Sequence, residues 1–181
     1  MPLPMVYLNE SVIMKSITVY LEHPSPLGPL LLAARAGGLS GVYYQQHNHF
    51  AGKQDWQQVS DHVLLKQAAS QLDEYFAGQR QVFDLPLAPQ GTLFQTEVWQ
   101  GLRQIPYGST SNYSELAQAI ARPKAVRAVG AANARNPLSI IVPCHRVIGR
   151  SGDLVGYAGG LERKQFLLAL EKAGTGQLAL I

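Results

Sequence analysis

Near residue 90 the hydrophobic pattern of this chain changes period, and that change limits the folds open to it. Before it, short runs at Ile17–Leu21, Leu30–Ala33 and Leu39–Tyr44 carry β-branched and aromatic residues. Turn residues at Pro24–Gly28 and Gly37–Gly38 separate them, so they read as a strand meander. Residues 45–59 are polar and read as a loop. Leu64, Leu65, Ala68, Leu72, Tyr75 and Phe76 then recur at helical intervals, behind a cap near Ser60 or Asp61 and ahead of a stop at Gly78. Val82–Leu87 reads as one more short strand. After a linker at Ala88–Gly91 the pattern is helical. The chain of 181 residues has room for two small domains, and the reading is an α/β protein: an α+β unit over residues 1–88, then a mainly helical unit over 92–181.

In the second unit, Thr92 and Gln95 have capping-box spacing ahead of Phe94, Val98, Trp99 and Leu102. Pro106–Gly108 ends that helix. Ser111 is the expected cap of a second helix, Tyr113 to Ile120. Pro123 is placed to open a third, Lys124 to about Arg135, which Asn136–Pro137 closes. Two short helices about a tight turn make a helix-turn-helix candidate. The third helix is smooth: Ala125, Ala128, Gly130, Ala131, Ala132 and Ala134 give it little bulk, and Arg127 projects alone. Such a surface suits a nucleic-acid groove or tight packing on a neighbouring helix.

Charge separates the halves. Residues 1–90 carry five Lys/Arg and seven Asp/Glu, a balance of −2; residues 91–181 carry ten and five, a balance of +5, which together give the net +3. Between Arg122 and Lys164 stand eight basic residues against Asp153 and Glu162. A basic patch confined to one region suits a polyanion, and an ordinary solvated face is the alternative. No stretch reaches about 18 apolar residues, so no membrane span is expected. Met1–Lys15 lacks the pattern of an export signal. The expectation is a soluble, cytoplasmic protein.

The lone cysteine, Cys144, excludes an internal disulfide and a thiolate metal cluster. It follows Leu138–Val142, an apolar run that reads as a buried strand, and precedes His145. A neighbouring imidazole can lower a thiol pKa from about 8.5 and raise its nucleophilicity. Adjacent residues on a strand point to opposite faces, so cooperation requires a turn, a helical start or a bridging water here. A small buried hydrophobe is the plainer fate of a free cysteine. A third group must orient His145. Glu171 stands on a final helix from Leu161, at the edge of the face made by Phe166, Leu167 and Leu170. Glu162 and Asp153 are rivals, and a solvated helix residue is the plainer reading of Glu171. His47 and His49 sit in a polar loop without surrounding ligands and read as surface. Gly149–Gly160 lacks the ending of a phosphate-binding P-loop.

Taken together, Pro143-Cys144-His145-Arg146-Val147-Ile148, Arg127-Ala128-Val129-Gly130, Asn136-Pro137, Gly156-Tyr157-Ala158-Gly159-Gly160 and the helix ending in Glu171 resemble the O6-alkylguanine-DNA alkyltransferase family. This is the family of methylated-DNA–protein-cysteine methyltransferases, and the bacterial constitutive type is nearest. The likeness is strong over about residues 92–173. It implies a ribonuclease-H-like first domain and a winged-helix-like second one.

The resemblance also implies a reaction: single-turnover transfer of an alkyl group from O6-alkylguanine, and from O4-alkylthymine, in duplex DNA to Cys144. By position, His145 would take the thiol proton through a water and Glu171 would orient His145. Asn136 would tie the helix-turn-helix to the active-site segment. Tyr113 would help rotate the nucleotide and protonate guanine N3, and Arg127 would replace the flipped base in the stack. Ala125, Ala128, Gly130, Ala134 and Arg135 complete the expected minor-groove surface. Tyr157, Ala158, Val147 and Ser139 are the expected pocket. Some relatives have Pro and Ser where this chain has Ser139 and Ala158, so Ala158 offers only its backbone N–H, and Ser139 leaves more room for bulky alkyl groups. Neither a cofactor nor a metal is expected, nor an obligate protein partner; cooperative binding along DNA is left open. Two rivals remain: a cysteine hydrolase using Cys144, His145 and Glu171, and a non-catalytic helix-turn-helix regulator.

Overall fold

The computed structural model describes residues 17–176, so the stretch read for an export signal lies outside the described residues. Strand β1 (Val19–His23) pairs antiparallel with β2 (Leu30–Arg35), from Val19↔Ala34 to His23↔Leu30. β2 pairs antiparallel with β3 (Gly38–Tyr44), with a bulge between Ala33 and Ala34. A two-residue strand within the expected loop, β4 (Gln57–Gln58), adds parallel to β1, giving the order β3-β2-β1-β4. Helix α1 (Val63–Phe76) is capped by His62, whose ring accepts from Leu65 N–H, rather than by Ser60 or Asp61. It buries Leu65, Ala68, Leu72 and Tyr75, and at Gly78 the backbone turns left-handed.

Val82–Leu87 is not a strand. It makes one parallel bridge, Leu39↔Leu87, because the outer edge of β3 is shared with a second visitor. Val42 N–H donates to Pro137 O at 2.8 Å and Ser139 N–H to Val42 O at 3.2 Å. The first half thereby grips the segment leading to Cys144. One apolar core also runs through both halves, from Leu32, Leu39 and Leu72 to Val98, Trp99, Leu116 and Leu167.

In the second half, α2 (Leu93–Leu102) carries the expected capping box of Thr92 and Gln95. Helix α3 (Tyr113–Ala119) is capped by Asn112, which shares a capping box with Glu115, and not by Ser111. Ser111–Asn112 instead forms β5, parallel to β6 (Val147–Ile148). Helix α4 (Val126–Ala134) begins later than expected: Pro123 and Lys124 lie in the turn, and Ala125 is its cap residue. α3 and α4 are the two helices of the helix-turn-helix. Trp99 Nε1–H donates to Ala132 O at 2.9 Å and ties α2 to α4.

Leu138–Val142 is also not a strand. It is a buried irregular turn in which Val142 N–H bonds Leu138 O, and Ile140 takes a φ of 73°. The apolar run had that look because the whole segment is enclosed, and burial alone cannot distinguish a strand from a turn. Helix α5 (Leu161–Gly174) buries Lys164, Leu167 and Glu171, while Phe166 is exposed. Among the described residues no helix is long and apolar enough to cross a membrane.

Candidate active site

Cys144 begins a single 3-10 turn, Cys144–Arg146, at the end of the buried segment. This is the helical start that cooperation between Cys144 and His145 requires. Cys144 is 2% exposed. Asn136 fixes the sulfur from one side: its Nδ2 donates to Sγ at 3.1 Å and to Val142 O at 2.8 Å. Its Oδ1 accepts from Leu138 N–H at 2.9 Å, and its own N–H bonds Asn133 O on α4. One residue, by its side chain and its main chain, therefore joins the helix-turn-helix, the buried turn and Cys144. Burial pushes the Cys144 thiol up to about 11, against the pull of Asn136, the Lys164 charge and nearby backbone N–H groups. At neutral pH the group is a thiol and needs a base.

An imidazole is adjacent in the chain. His145 is fully buried, and its Nε2 lies 2.8 Å from Glu171 Oε1. With Nε2–H donating to the carboxylate, Nδ1 carries the lone pair, and Nδ1 makes no hydrogen bond to a protein group. Burial holds the imidazole below its ordinary pKa, outweighing the Glu171 charge. It is neutral and basic at physiological pH.

Glu171 is the hub. Arg146 donates through Nε to Oε2 and through Nη2 to Oε1, both at 2.9 Å. Gly108 N–H reaches Oε2 at 3.1 Å, and the Tyr75 hydroxyl donates to Oε1 at 2.8 Å. Five donors saturate a carboxylate with about four lone-pair sites. Burial raises the Glu171 pKa, but the bonds from His145 and Arg146 outweigh it and hold the carboxyl at about 2.

Lys164 is a second buried charge. Its Nζ donates to Val147 O and Val155 O at 2.6 Å and to Gly156 O at 3.3 Å. It staples the glycine-rich loop to the Cys144 segment. Burial lowers its pKa to about 8.

The other expected site residues are distributed around this centre. Tyr113 is half-buried between α4 and the glycine-rich loop. Its ring lies 3.7 Å from where a Cβ on Gly130 would sit, and its hydroxyl 3.6 Å from the equivalent point on Gly156. Gly130 thus faces Tyr113. Burial raises the Tyr113 pKa, so it stays protonated. The Tyr157 hydroxyl meets that of Tyr44, from β3, at 2.8 Å. Gly159 lets the loop approach: a Cβ there would fall 2.4 Å from the Tyr44 ring. Ala158 and Val147 are buried, and Ala158 O accepts from Asn48 N–H at 3.0 Å. Ser139 is wholly buried with its hydroxyl unbonded.

On α4, Arg127, Ala128 and Ala131 face outward, Ala125 and Ala134 are partly exposed, and Val129, Ala132 and Asn133 are buried. The smooth helix therefore packs tightly through one face and leaves the other exposed. Of the eight basic residues, Arg146 and Lys164 are buried, Arg122 pairs with Glu97, and Arg163 donates to Leu27 O and Gly159 O. Lys124, Arg127, Arg135 and Arg150 are exposed. The outward basic patch is thus smaller than the count implied. Among the described residues no group of three or more His, Cys, Asp or Glu side chains is arranged to hold a metal.

Sequence reasoning did not find Arg146, Lys164, Tyr75 or Tyr44. A spacing signal did exist for Lys164: with Leu167 and Glu171 it forms an i, i+3, i+7 stripe. The link from Tyr75 to Glu171 spans 96 residues, and no local pattern carries it.

The chain is similar to known proteins over both halves. A family model described as the ribonuclease-like domain of 6-O-methylguanine DNA methyltransferase matches residues 17–89, and one for its DNA binding domain matches residues 93–173. A methylated-DNA–protein-cysteine methyltransferase of Methanosarcina acetivorans is 50% identical over 153 residues, covering 84% of this chain and 97% of that protein. The constitutive protein of that name from Bacillus subtilis is 46% identical, covering 84% and 94%. The crystal structure of Mycobacterium tuberculosis OGT in complex with DNA superposes with a TM-score of 0.81 at 46% identity, covering 86% and 94%.

Proposed function

The chain belongs to the 6-O-methylguanine DNA methyltransferase family, with its ribonuclease-like domain followed by its DNA-binding domain, and from this we propose how its own residues perform direct-reversal repair. It transfers an alkyl group from O6-alkylguanine in DNA to a cysteine of the protein. The observation that carries the assignment of Cys144 as acceptor is its setting. The chain's only cysteine is held by Asn136 beside an imidazole locked onto a saturated carboxylate.

The step balances as follows. His145 Nδ1 takes the Cys144 proton through a bridging water, and Sγ attacks the alkyl carbon. The S–C bond forms, the C–O6 bond breaks, and its electron pair stays on the guanine. Tyr113 supplies a proton to N3 and is reprotonated through solvent as His145 gives up the proton it took, so the net result is transfer of the thiol proton to the restored base. Glu171 keeps His145 in the tautomer whose lone pair faces the thiol. The product is a thioether, which no group in the site can reverse, so each chain acts once.

The target atom is inaccessible inside a duplex, and the sulfur of a residue only 2% exposed cannot reach into a base stack. The base must be flipped out and brought to it. We assign α4 to the minor groove, with Ala125, Ala128, Gly130 and Ala134 allowing close approach, Arg135 on the backbone, and Arg127 filling the gap in the stack. Tyr157, Ala158, Val147 and Ser139 form the pocket. O4-alkylthymine is a second substrate, binding along DNA is open to cooperativity, and the work is done in the cytoplasm. The rival reading, a turnover cysteine hydrolase, predicts repeated hydrolysis of an ester or amide, which stoichiometry separates from one-time transfer. Titrating the protein against DNA carrying O6-methylguanine tests the function: one methyl group per chain supports it, and continued turnover contradicts it.

A further inference from the structure

None of the groups assigned to the chemistry comes from the ribonuclease-like domain, yet one of its side chains touches their network. We infer that Tyr75, on α1, is a positioning residue for alkyl transfer: its hydroxyl holds the Glu171 oxygen that orients His145, so the first domain sets the working state of the base in the second. This deepens the alkyl-transfer reading and rests on it.

The geometry is specific. Tyr75 is wholly buried, and its hydroxyl donates to Oε1 at 2.8 Å, the same oxygen that accepts from His145 Nε2 at 2.8 Å. Its ring cannot swing away, since Phe76, Phe83 and Tyr107 enclose it at centroid distances of 5.5, 5.4 and 6.1 Å. Burial and the Glu171 charge both raise its pKa, so it remains a donor throughout the working pH range. A core tyrosine needing only a partner for its hydroxyl has backbone carbonyls to choose from. This one is bonded to the single carboxylate on which the base depends.

Two consequences follow. The bond restrains the Glu171 rotamer at Oε1, the oxygen that also accepts from Arg146 Nη2, and so helps fix the direction in which Nε2–H is held. It also draws charge from Oε1, making Glu171 a weaker acceptor and the imidazolium of His145 less favourable. The charged and titratable groups facing this carboxylate are Tyr75 from α1, Tyr107 from the loop after α2, and His145 and Arg146 from the 3-10 turn. Lys164 on α5 acts on His145. Removing the Tyr75 donor leaves the others in place, and the imidazolium gains.

The test compares full-length wild type with Tyr75→Phe, and with 3-fluorotyrosine placed at position 75, which keeps the ring and strengthens the donor. Single-turnover methyl transfer from an O6-methylguanine duplex is followed across pH, beside DNA affinity and the urea midpoint. Outer hydrogen-bond partners of metal-bound imidazoles are worth about 10–100-fold in activity. By the same logic Tyr75→Phe should slow transfer about tenfold, with DNA affinity unchanged and the acid limb of the rate profile moved to higher pH. The fluorinated protein should move that limb to lower pH. A Tyr75→Phe protein that loses only stability, with the rate and profile of wild type, overturns the inference. So do limbs that shift the same way in both proteins. If Tyr75→Phe does not fold, the fluorinated protein alone decides. Wild type that transfers no methyl group would defeat the alkyl-transfer reading itself, a distinct result.

Discussion

Arg146 holds Glu171 by both oxygens, Nε to Oε2 and Nη2 to Oε1 at 2.9 Å, where the carboxylate has no exposed surface. Breaking a buried pair by removing one charge costs about 3–5 kcal/mol, because the remaining charge is left uncompensated. Glu171→Gln should therefore lose about that much stability. Held at a temperature where it remains folded, it should bind DNA within about twofold of wild type yet transfer methyl at least about tenfold more slowly. Urea unfolding, fluorescence anisotropy and single-turnover kinetics check the three parts, and an unchanged transfer rate removes Glu171 from the chemistry.

Acid should unfold the protein through the same network. His145 has a folded pKa below its ordinary 6.5, so below about 6.5 the unfolded chain binds a proton that the native one does not, and stability falls. Glu171 is depressed to about 2, so its contribution is present above the ordinary carboxyl value near 4.5 and is lost between there and about 2. Urea midpoints measured downward from pH 7 should decline first below about 6.5 and again below 4.5. His47, which burial lowers to about 4, contributes to the first decline as well, so His145→Gln should make that decline shallower, and a decline identical to wild type contradicts the assignment.

Because burial raises the Cys144 thiol to about 11, small thiol reagents should react slowly at pH 7. The alkylation rate with iodoacetamide should climb through pH 9 without a plateau. A plateau near pH 7 would show a preformed thiolate and a different activation.

Arg127 is exposed on α4 and is not among the residues whose hydrogen bonds define the centre. Arg127→Ala should weaken repair of a duplex by about tenfold or more while reaction with free O6-alkylguanine base stays near wild type. Equal losses on both substrates contradict a role in flipping.

Much of this was legible in the sequence, for reasons that differ by residue. The capping box at Thr92 and Gln95 and the period of α1 are local signals, and both are found where local chemistry places them. Leu138–Val142 misled because its five apolar residues report burial, not backbone shape; with β3 accepting only single bridges, the chain turns instead. Asn112 is the cap where Ser111 was expected because its Oδ1 accepts from both Ser114 and Glu115 N–H, while the Ser111 hydroxyl donates to the Glu115 carboxylate. The buried charges Arg146 and Lys164 looked like part of a basic surface, since sequence reports charge and not exposure. Tyr75 and Tyr44 reach the site only because β3 and α1 pack against the second half, a tertiary fact without a local signature.

The central claim is that Cys144 is the consumed reagent, and mass spectrometry after mixing the protein with duplex DNA carrying O6-methylguanine addresses it directly. The account predicts about one methyl mass on the peptide containing Cys144, restored guanine in equal amount, and no second round. Complete repair with Cys144 unmodified would contradict it.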